Sequence, residues 1–350
     1  MTVLFLYTEI ADYFVKCCET LSEQVDVHVI RWPVNKEAPF VFSFSEKIKV
    51  YDKNKFSFFE LKQLIKKINP DIIICSGWID KDYLKLTKPY YNKIPTVLTC
   101  DTHWTGSIKQ HIAAVLSRIF LLKTFSFSWV PGNKQAYYLK KLGFPENRIK
   151  KGFYCCDLLK FNAIFETQTL LKKSAFPKRF LFVGRYYAFK GITDLWEAFI
   201  QIQNENPNEW ELWCMGAGDI EPIIHEKIKH FGFVQPNNLD EILKDTGVFV
   251  LPSHFEPWGV VVQEYAASGF PIITSKAVGS NELFLEGNQN GFSFETKNIV
   301  ELKKILKKII TLSDSELYKM SLRSHDIAQK INHKIWTRNI LEIQHEFNTK

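Results

Sequence analysis

The sequence lacks an export signal. Its first 20 residues, MTVLFLYTEIADYFVKCCET, have no basic start, no long apolar stretch and no small-residue cleavage site, which predicts a cytoplasmic chain. It also lacks any run of about 18 uncharged apolar residues. The nearest, Ile112 to Val130, is interrupted by Arg118 and Lys123, so no bilayer-spanning helix is expected. Paired C-x-x-C spacing is missing too: the seven cysteines, Cys17, Cys18, Cys75, Cys100, Cys155, Cys156 and Cys214, are read as reduced and structural, with no metal. There are no internal repeats, no low-complexity tracts and no nucleic-acid-binding module. What is present is 46% apolar and 15% aromatic content over 350 residues, enough to bury a core in about two domains.

Acidic residues are scarce in the first half. Residues 1–160 carry 24 Lys+Arg against 15 Asp+Glu, whereas residues 161–350 carry 21 against 23. A half with a net charge of +9 attracts anionic surfaces: lipid headgroups, lipid-linked phosphates or nucleic acid. With no nucleic-acid module, nucleic acid is not expected as a partner. The inner face of the plasma membrane is the expected one, with Gln110 to Leu122 and nearby lysines as the contact. A merely solvated lysine-rich surface is the plain alternative.

Short apolar, β-rich runs alternate with helical-period segments. Thr2–Tyr7, Val25–Ile30, Asp71–Cys75, Thr96–Cys100 and Phe125–Val130 read as strands, and Ser57–Ile68 and Lys134–Leu142 as amphipathic helices. Such alternation predicts parallel strands with crossover helices. The pattern weakens between Cys156 and Lys178, which is read as the junction. It then restarts with strands at Arg179–Val183, Glu211–Met215, Gly247–Leu251 and Pro271–Thr274, a second Rossmann-type unit. The expected domains are 1–165 and 176–331, with a last helical segment over 332–350.

Three stretches carry chemistry. In FVGRYYAFKG, a buried strand ends at Gly184, and Arg185 and Lys190 follow before a helix. Arg185 can bond phosphate oxygens in bidentate fashion and Lys190 adds a mobile charge, at the strand edge where open α/β sheets bind ligands. In CMGAGD, Gly216 and Gly218 follow a strand where a Cβ would obstruct a nucleotide. HFGFVQ, with Val234, reads as a short strand against which a base could lie. The third stretch runs from Leu251 to Phe284 and is read as entering a helix at Pro257. Glu256 and Glu264 would sit about 12 Å apart along a regular helix, too far for an acid/base pair. One ligand can span them, with its diphosphate at the N–H groups of Trp258, Gly259 and Val260. The plain alternative makes Glu256 a cap and Glu264 a solvated helix position.

PSHFEPWGVVVQEYAASGFPIITS resembles the signature of the family-4 retaining glycosyltransferases, and FVGRYYAFKG resembles that family's phosphate motif. Gly279, Glu282 and Asn290-Gly291 are similar to its later turns, so the resemblance covers most of residues 179–294. It implies a GT-B fold: α/β, two Rossmann-like domains with parallel sheets facing a cleft, donor on the second domain and acceptor largely on the first, and a last helix returning to the first. It implies transfer of a sugar, with retained anomeric configuration and no metal or other cofactor, from a UDP- or GDP-linked donor to a glycan or lipid-linked acceptor. The Phe-, Lys- and Ile-rich composition adds the expectation of a role in surface polysaccharide biosynthesis. Arg185, Lys190 and Glu256 would be catalytic. Gly184, Gly216, Val234, Trp258, Gly259, Val260 and Glu264 would bind donor.

The first half departs from that pattern. Its first loop is TEIADYF instead of a Gly-Gly loop, and in CDTHWTG Asp101 stands in the usual histidine place, with His103 two residues on. Either could meet acceptor or sugar. Two other functions stay open: a nucleotide-sugar epimerase or hydrolase of GT-B-like fold, and an inactive, membrane-docked assembly subunit.

Overall fold

A computed structural model describes residues 1–34, 42–235 and 238–349. The chain divides into two compact units: unit 1 is Met1–Cys155 with Ile331–Lys350, and unit 2 is Cys156–Lys330.

Unit 1 is built on seven parallel strands: β1 (Thr2–Tyr7), β2 (Asp26–Arg31), β3 (Ile48–Asp52), β4 (Ile72–Ser76), β5 (Thr96–Thr99), β6 (Phe127–Val130) and β7 (Ile149–Lys151), in the order β3-β2-β1-β4-β5-β6-β7. The near-continuous apolar run of β1 follows from its place in the sheet, with β2 on one side and β4 on the other and Val3 to Leu6 wholly buried. The C-terminal helix, His333–Asn348, belongs to this unit. Its Trp336 stacks on Phe5 with ring centroids 5.9 Å apart and donates its indole N–H to Phe153 O at 2.7 Å.

Unit 2 carries six parallel strands: β8 (Arg179–Val183), β9 (Glu211–Met215), β10 (Ile228–His230), β11 (Val248–Leu251), β12 (Ile272–Ser275) and β13 (Gly291–Phe294), in the order β10-β9-β8-β11-β12-β13. The chain leaves β8 toward β9 and later returns to β8's other side as β11, so the loops after these two strands diverge and leave a crevice at their C-terminal ends.

The stretch read as the junction is mostly one helix, Leu158–Ser174, and it packs within unit 2. Phe161 and Ile164 are buried there, and Ser268 Oγ donates to Phe161 O. Unit 2 therefore begins at Cys156, ahead of residue 165. Two local readings are corrected. The helix after β11 starts at Val260 and not at Pro257, because Gly259 takes a left-handed φ of 88° at its N-cap and Glu256 forms a bridge with Val278. The strand read at His230–Gln235 ends at His230; Phe231–Gln235, Val234 included, is loop, with Gly232 at φ 64°.

Candidate functional site

The C-terminal edge of the second sheet gathers most of the residues singled out by sequence. Gly184 follows β8, and its N–H bonds Met215 O at 3.0 Å. Gly216 follows β9 with φ 138°, and a Cβ there would stand 1.9 Å from Gly184 O. The two neighbouring strand ends can approach this closely only because Gly216 has no side chain. Arg185 extends from this corner, its guanidinium 5.4 Å from the Tyr187 ring centroid. Gly216 N also donates to Gly232 O at 2.7 Å, which brings the loop holding Val234 alongside.

Across the crevice, the chain after β11 is held by its own backbone. Gly279 N donates to Glu256 O at 3.0 Å and Ser280 N to Trp258 O at 2.9 Å. A Cβ on Gly279 would lie 2.0 Å from Pro257 O. These bonds fix Glu256 against the turn after β12. The Trp258 side chain is buried and packs edge-on to Phe284, so this residue can offer a ligand its backbone alone. Val260 opens the following helix, and a helix's first turn carries N–H groups of the kind that favour an anion. Glu264 lies within that helix, about one turn after Val260.

The two sides meet in an ion pair: Lys190 Nζ lies 2.5 Å from Glu256 Oε2, with the side chains only 16% and 12% exposed. Ser253 Oγ donates to the same carboxylate oxygen at 3.4 Å. Lys190 ends a short 3-10 turn, Ala188–Lys190, and Gly191 after it has φ 69°. A Cβ on Gly191 would be 2.2 Å from Pro252 O, so this glycine lets the turns after β8 and β11 touch.

Two supporting pairs had no signal in the sequence, since each joins distant positions. His254 Nε2 lies 2.7 Å from an Asp194 carboxylate oxygen, and His254 N donates to Phe189 O at 2.7 Å. Together they tie the β11 turn to the start of the Ile192–Glu205 helix, just after Lys190. Near Gly216, Tyr186 Oη is 2.9 Å from His230 Nδ1, while His230 Nε2 is 3.1 Å from Ile223 O. A carbonyl can only accept, so Nε2 carries the proton and Nδ1 accepts from the tyrosine. Burial lowers the pKa of His230, which keeps that neutral form at pH 7.

Of the later turns, Asn290 is buried and structural: its amide donates to Phe284 O and its carbonyl accepts from Glu286 N. Glu282 lies in the short helix Asn281–Phe284.

Asp101 and His103 are in unit 1, just past the end of β5. Asp101 accepts from Tyr154 Oη at 3.1 Å. Burial, and then Lys134, lower the pKa of His103, against the opposing pull of Asp101. His103 is therefore a neutral imidazole at pH 7.

Among the described residues, one group of metal-ligating side chains converges: Cys17, Cys155 and His333 of unit 1, buried, with ligand atoms within 4.8 Å of one another. Cys17 Sγ donates to Cys155 O and Cys155 Sγ to Ile331 O, so both thiols act as weak donors that fasten chain segments together. No helix among the described residues is long and apolar enough to cross a membrane.

Residues 177–312 match the family profile described as glycosyl transferases group 1, and residues 2–105 match the one described as glycosyl transferase 4-like. A glycogen synthase of Mycobacterium tuberculosis is 29% identical over 143 residues, which are 38% of this chain and 34% of that protein. The capsular polysaccharide biosynthesis glycosyltransferase CapM of Staphylococcus aureus is 28% identical over 177 residues, 48% of this chain and 45% of that one. The chain thus spans less than half the length of these two relatives. Anabaena HepE, solved in complex with UDP-glucose, superposes with a TM-score of 0.69 at 15% identity, over 98% of both chains. That likeness establishes the fold, two parallel-sheet α/β domains of the GT-B class. With both family matches falling in order along it, the chain belongs to the group 1, family-4-like glycosyltransferases.

Proposed function

We infer that the protein transfers a sugar from a UDP- or GDP-linked donor to a glycan or lipid-linked acceptor, with retained anomeric configuration and without need of a metal, in surface polysaccharide biosynthesis. The observation that carries this reading is the Lys190–Glu256 ion pair across the crevice between β8 and β11. Diphosphate oxygens would replace the carboxylate at Lys190, with Arg185 as a second cation and the Val260 helix start as a third donor group. Glu256, released from Lys190, would face sugar hydroxyls, and Glu264 the ribose.

The bond from the sugar's C1 to the diphosphate oxygen breaks, and its electron pair leaves with the diphosphate. Arg185 and Lys190 meet the charge that develops there, the role a metal ion plays elsewhere. The acceptor's hydroxyl oxygen bonds to C1 on the face the diphosphate leaves, and its proton passes to a departing phosphate oxygen. Configuration at C1 is thereby kept. Asp101 or His103 would hold the acceptor or a sugar hydroxyl.

The complex of the Anabaena neighbour with UDP-glucose supports the donor class, and the capsular polysaccharide role in the name of the S. aureus relative supports the polysaccharide setting. The test is incubation with a panel of UDP- and GDP-sugars without acceptor. Slow release of free sugar and nucleoside diphosphate, with an α-linked donor giving α-sugar by proton NMR, is expected. A changed sugar still joined to its nucleotide would mark an epimerase, rapid release of free sugar that an added glycan acceptor does not divert would mark a hydrolase, and an unconsumed panel would contradict the reading.

A further inference from the structure

The helix Ile108–Phe120 of unit 1 is inside out. A helix on a globular protein ordinarily turns its apolar stripe to the core and its polar face to water. Here the inward side carries Gln110 and Ser117, both buried, together with Ala113 and Ala114. Those polar groups anchor the helix. Gln110 accepts from Thr105 N at 2.7 Å and donates to His103 O at 2.8 Å, and Ser117 Oγ donates to Leu142 O at 2.5 Å. Facing out are Ile108, Ile112, Val115, Leu116, Ile119 and Phe120, with Ile108 79% and Val115 69% exposed. At 100° per residue these six fall within one sector of about 140°, which holds one basic residue, Lys109, in the first turn.

Charge identifies what covers that face. From Thr102 to Pro145 the chain has six basic residues and no aspartate or glutamate. Lys109 and Arg118 are exposed on the helix itself and Lys123 just beyond its end. The C-terminal end of the neighbouring Asn133–Lys141 helix adds exposed Lys140 and Lys141; the Gly143 that follows lies against the Arg118 and Leu122 side chains. An apolar face edged by Arg118 and His111, with further lysines nearby and no acidic residue from Thr102 to Pro145, fits an anionic bilayer, where the apolar groups enter the acyl boundary and the long basic side chains reach back to the headgroups. Thirteen residues are too few to span, so the helix would lie in the interfacial plane. A second copy of the chain fits less well, since a two-fold contact through this face would set its cations against their own kind.

We propose that the Ile108–Phe120 helix inserts its apolar face into the headgroup boundary of an anionic membrane and holds the protein there. The inference rests on the lipid-linked acceptor proposed above for its purpose, because such an acceptor is presented at that surface.

The test is flotation of the full chain with phosphatidylcholine vesicles and with vesicles of phosphatidylcholine and phosphatidylglycerol, on wild type, on the pair Ile112→Gln and Ile119→Gln, and on the triple Lys109→Gln, Arg118→Gln and Lys123→Gln. All these side chains are exposed, so the variants keep the fold, which thermal melting verifies. Wild type should float with the anionic vesicles and far less with the neutral ones. Each variant should lose about tenfold or more in partitioning, as expected when apolar burial or headgroup attraction is removed. Failure of wild type to float with anionic vesicles, or flotation of the Ile112/Ile119 variant like wild type, would overturn the proposal. So would a concentration-dependent dimer in sedimentation equilibrium that the same variant abolishes, since that would give the face to a second copy. Donor hydrolysis measured without vesicles separates the two readings: a wild type that consumes donor but does not float defeats the membrane proposal alone.

Discussion

Lys190 Nζ and Glu256 Oε2 are 2.5 Å apart, a salt bridge between the turns after β8 and β11. On the proposed function this pair is what an incoming diphosphate would displace, leaving Lys190 as a cation for it. Removing either side chain leaves the other buried and uncompensated. Lys190→Ala and Glu256→Ala should each cost about 2 kcal/mol of stability, and the double variant less than the sum by about 1 kcal/mol, as denaturant melts in a double-mutant cycle would read. Lys190→Ala should also slow transfer about 10²-fold, the cost of losing one donor to a developing anion.

Gly216 and Gly232 make a matched comparison. Alanine at 216 would put a Cβ 1.9 Å from Gly184 O at φ 138°, whereas at 232 nothing lies within 4 Å and only the φ of 64° is unfavourable. Gly216→Ala should cost about 3 kcal/mol or more and abolish nucleotide binding; Gly232→Ala should cost about 1 kcal/mol. Melting curves with and without nucleotide check both.

On the proposed function, the His254–Asp194 contact would act on transfer through Lys190, since it ties together the turns that carry the ion pair. His254→Ala should lower kcat about tenfold with KM for acceptor unchanged, since misplacement of a charged group costs orientation. His254→Gln, which retains a side-chain N–H donor, should restore most of the loss. Equal loss in both variants would reduce the contact to an incidental one.

Lys172 offers a pH test of unit 2. Its ammonium is buried, 3.7 Å from the Phe270 ring centroid and 3.1 Å from Gly269 O, and burial outweighs both partners, lowering its pKa from 10.5 to about 7. Between these values the unfolded chain holds a proton that the folded chain lacks, so this group's contribution makes stability rise with pH across that window. Lys172→Met should therefore stabilise the protein by about 1–3 kcal/mol at pH 6 and by less at pH 9, in urea melts at the two pH values.

The sheet centres were legible in the sequence and the sheet edges were not. β1, β8 and β9 occupy the residues read as strands, because a central parallel strand is covered on both faces and shows as an unbroken apolar run. β3 and β7 bound the first sheet, and β10 and β13 bound the second. These edge strands are short or half-exposed, so the same signal is weak or missing, and HFGFVQ was read as strand where only its first residue belongs to one. The site divides in a similar way. Gly184, Arg185, Lys190, Glu256 and Glu264 stood out because a local motif holds them, yet the motif gave no sign that Lys190 and Glu256 touch. That contact, like His254–Asp194 and Tyr186–His230, depends on strand order, which brings together residues 66, 60 and 44 positions apart.

The central claim is that the edge of the second sheet binds a nucleoside diphosphate through Arg185 and Lys190. Calorimetric titration of UDP and GDP into wild type and into Arg185→Ala and Lys190→Ala tests it most directly. The account predicts one site per chain for at least one of the two nucleotides and about tenfold or greater loss of affinity in each variant, as befits a charge-assisted phosphate contact. Binding of equal strength in all three proteins, or none to wild type, would contradict it.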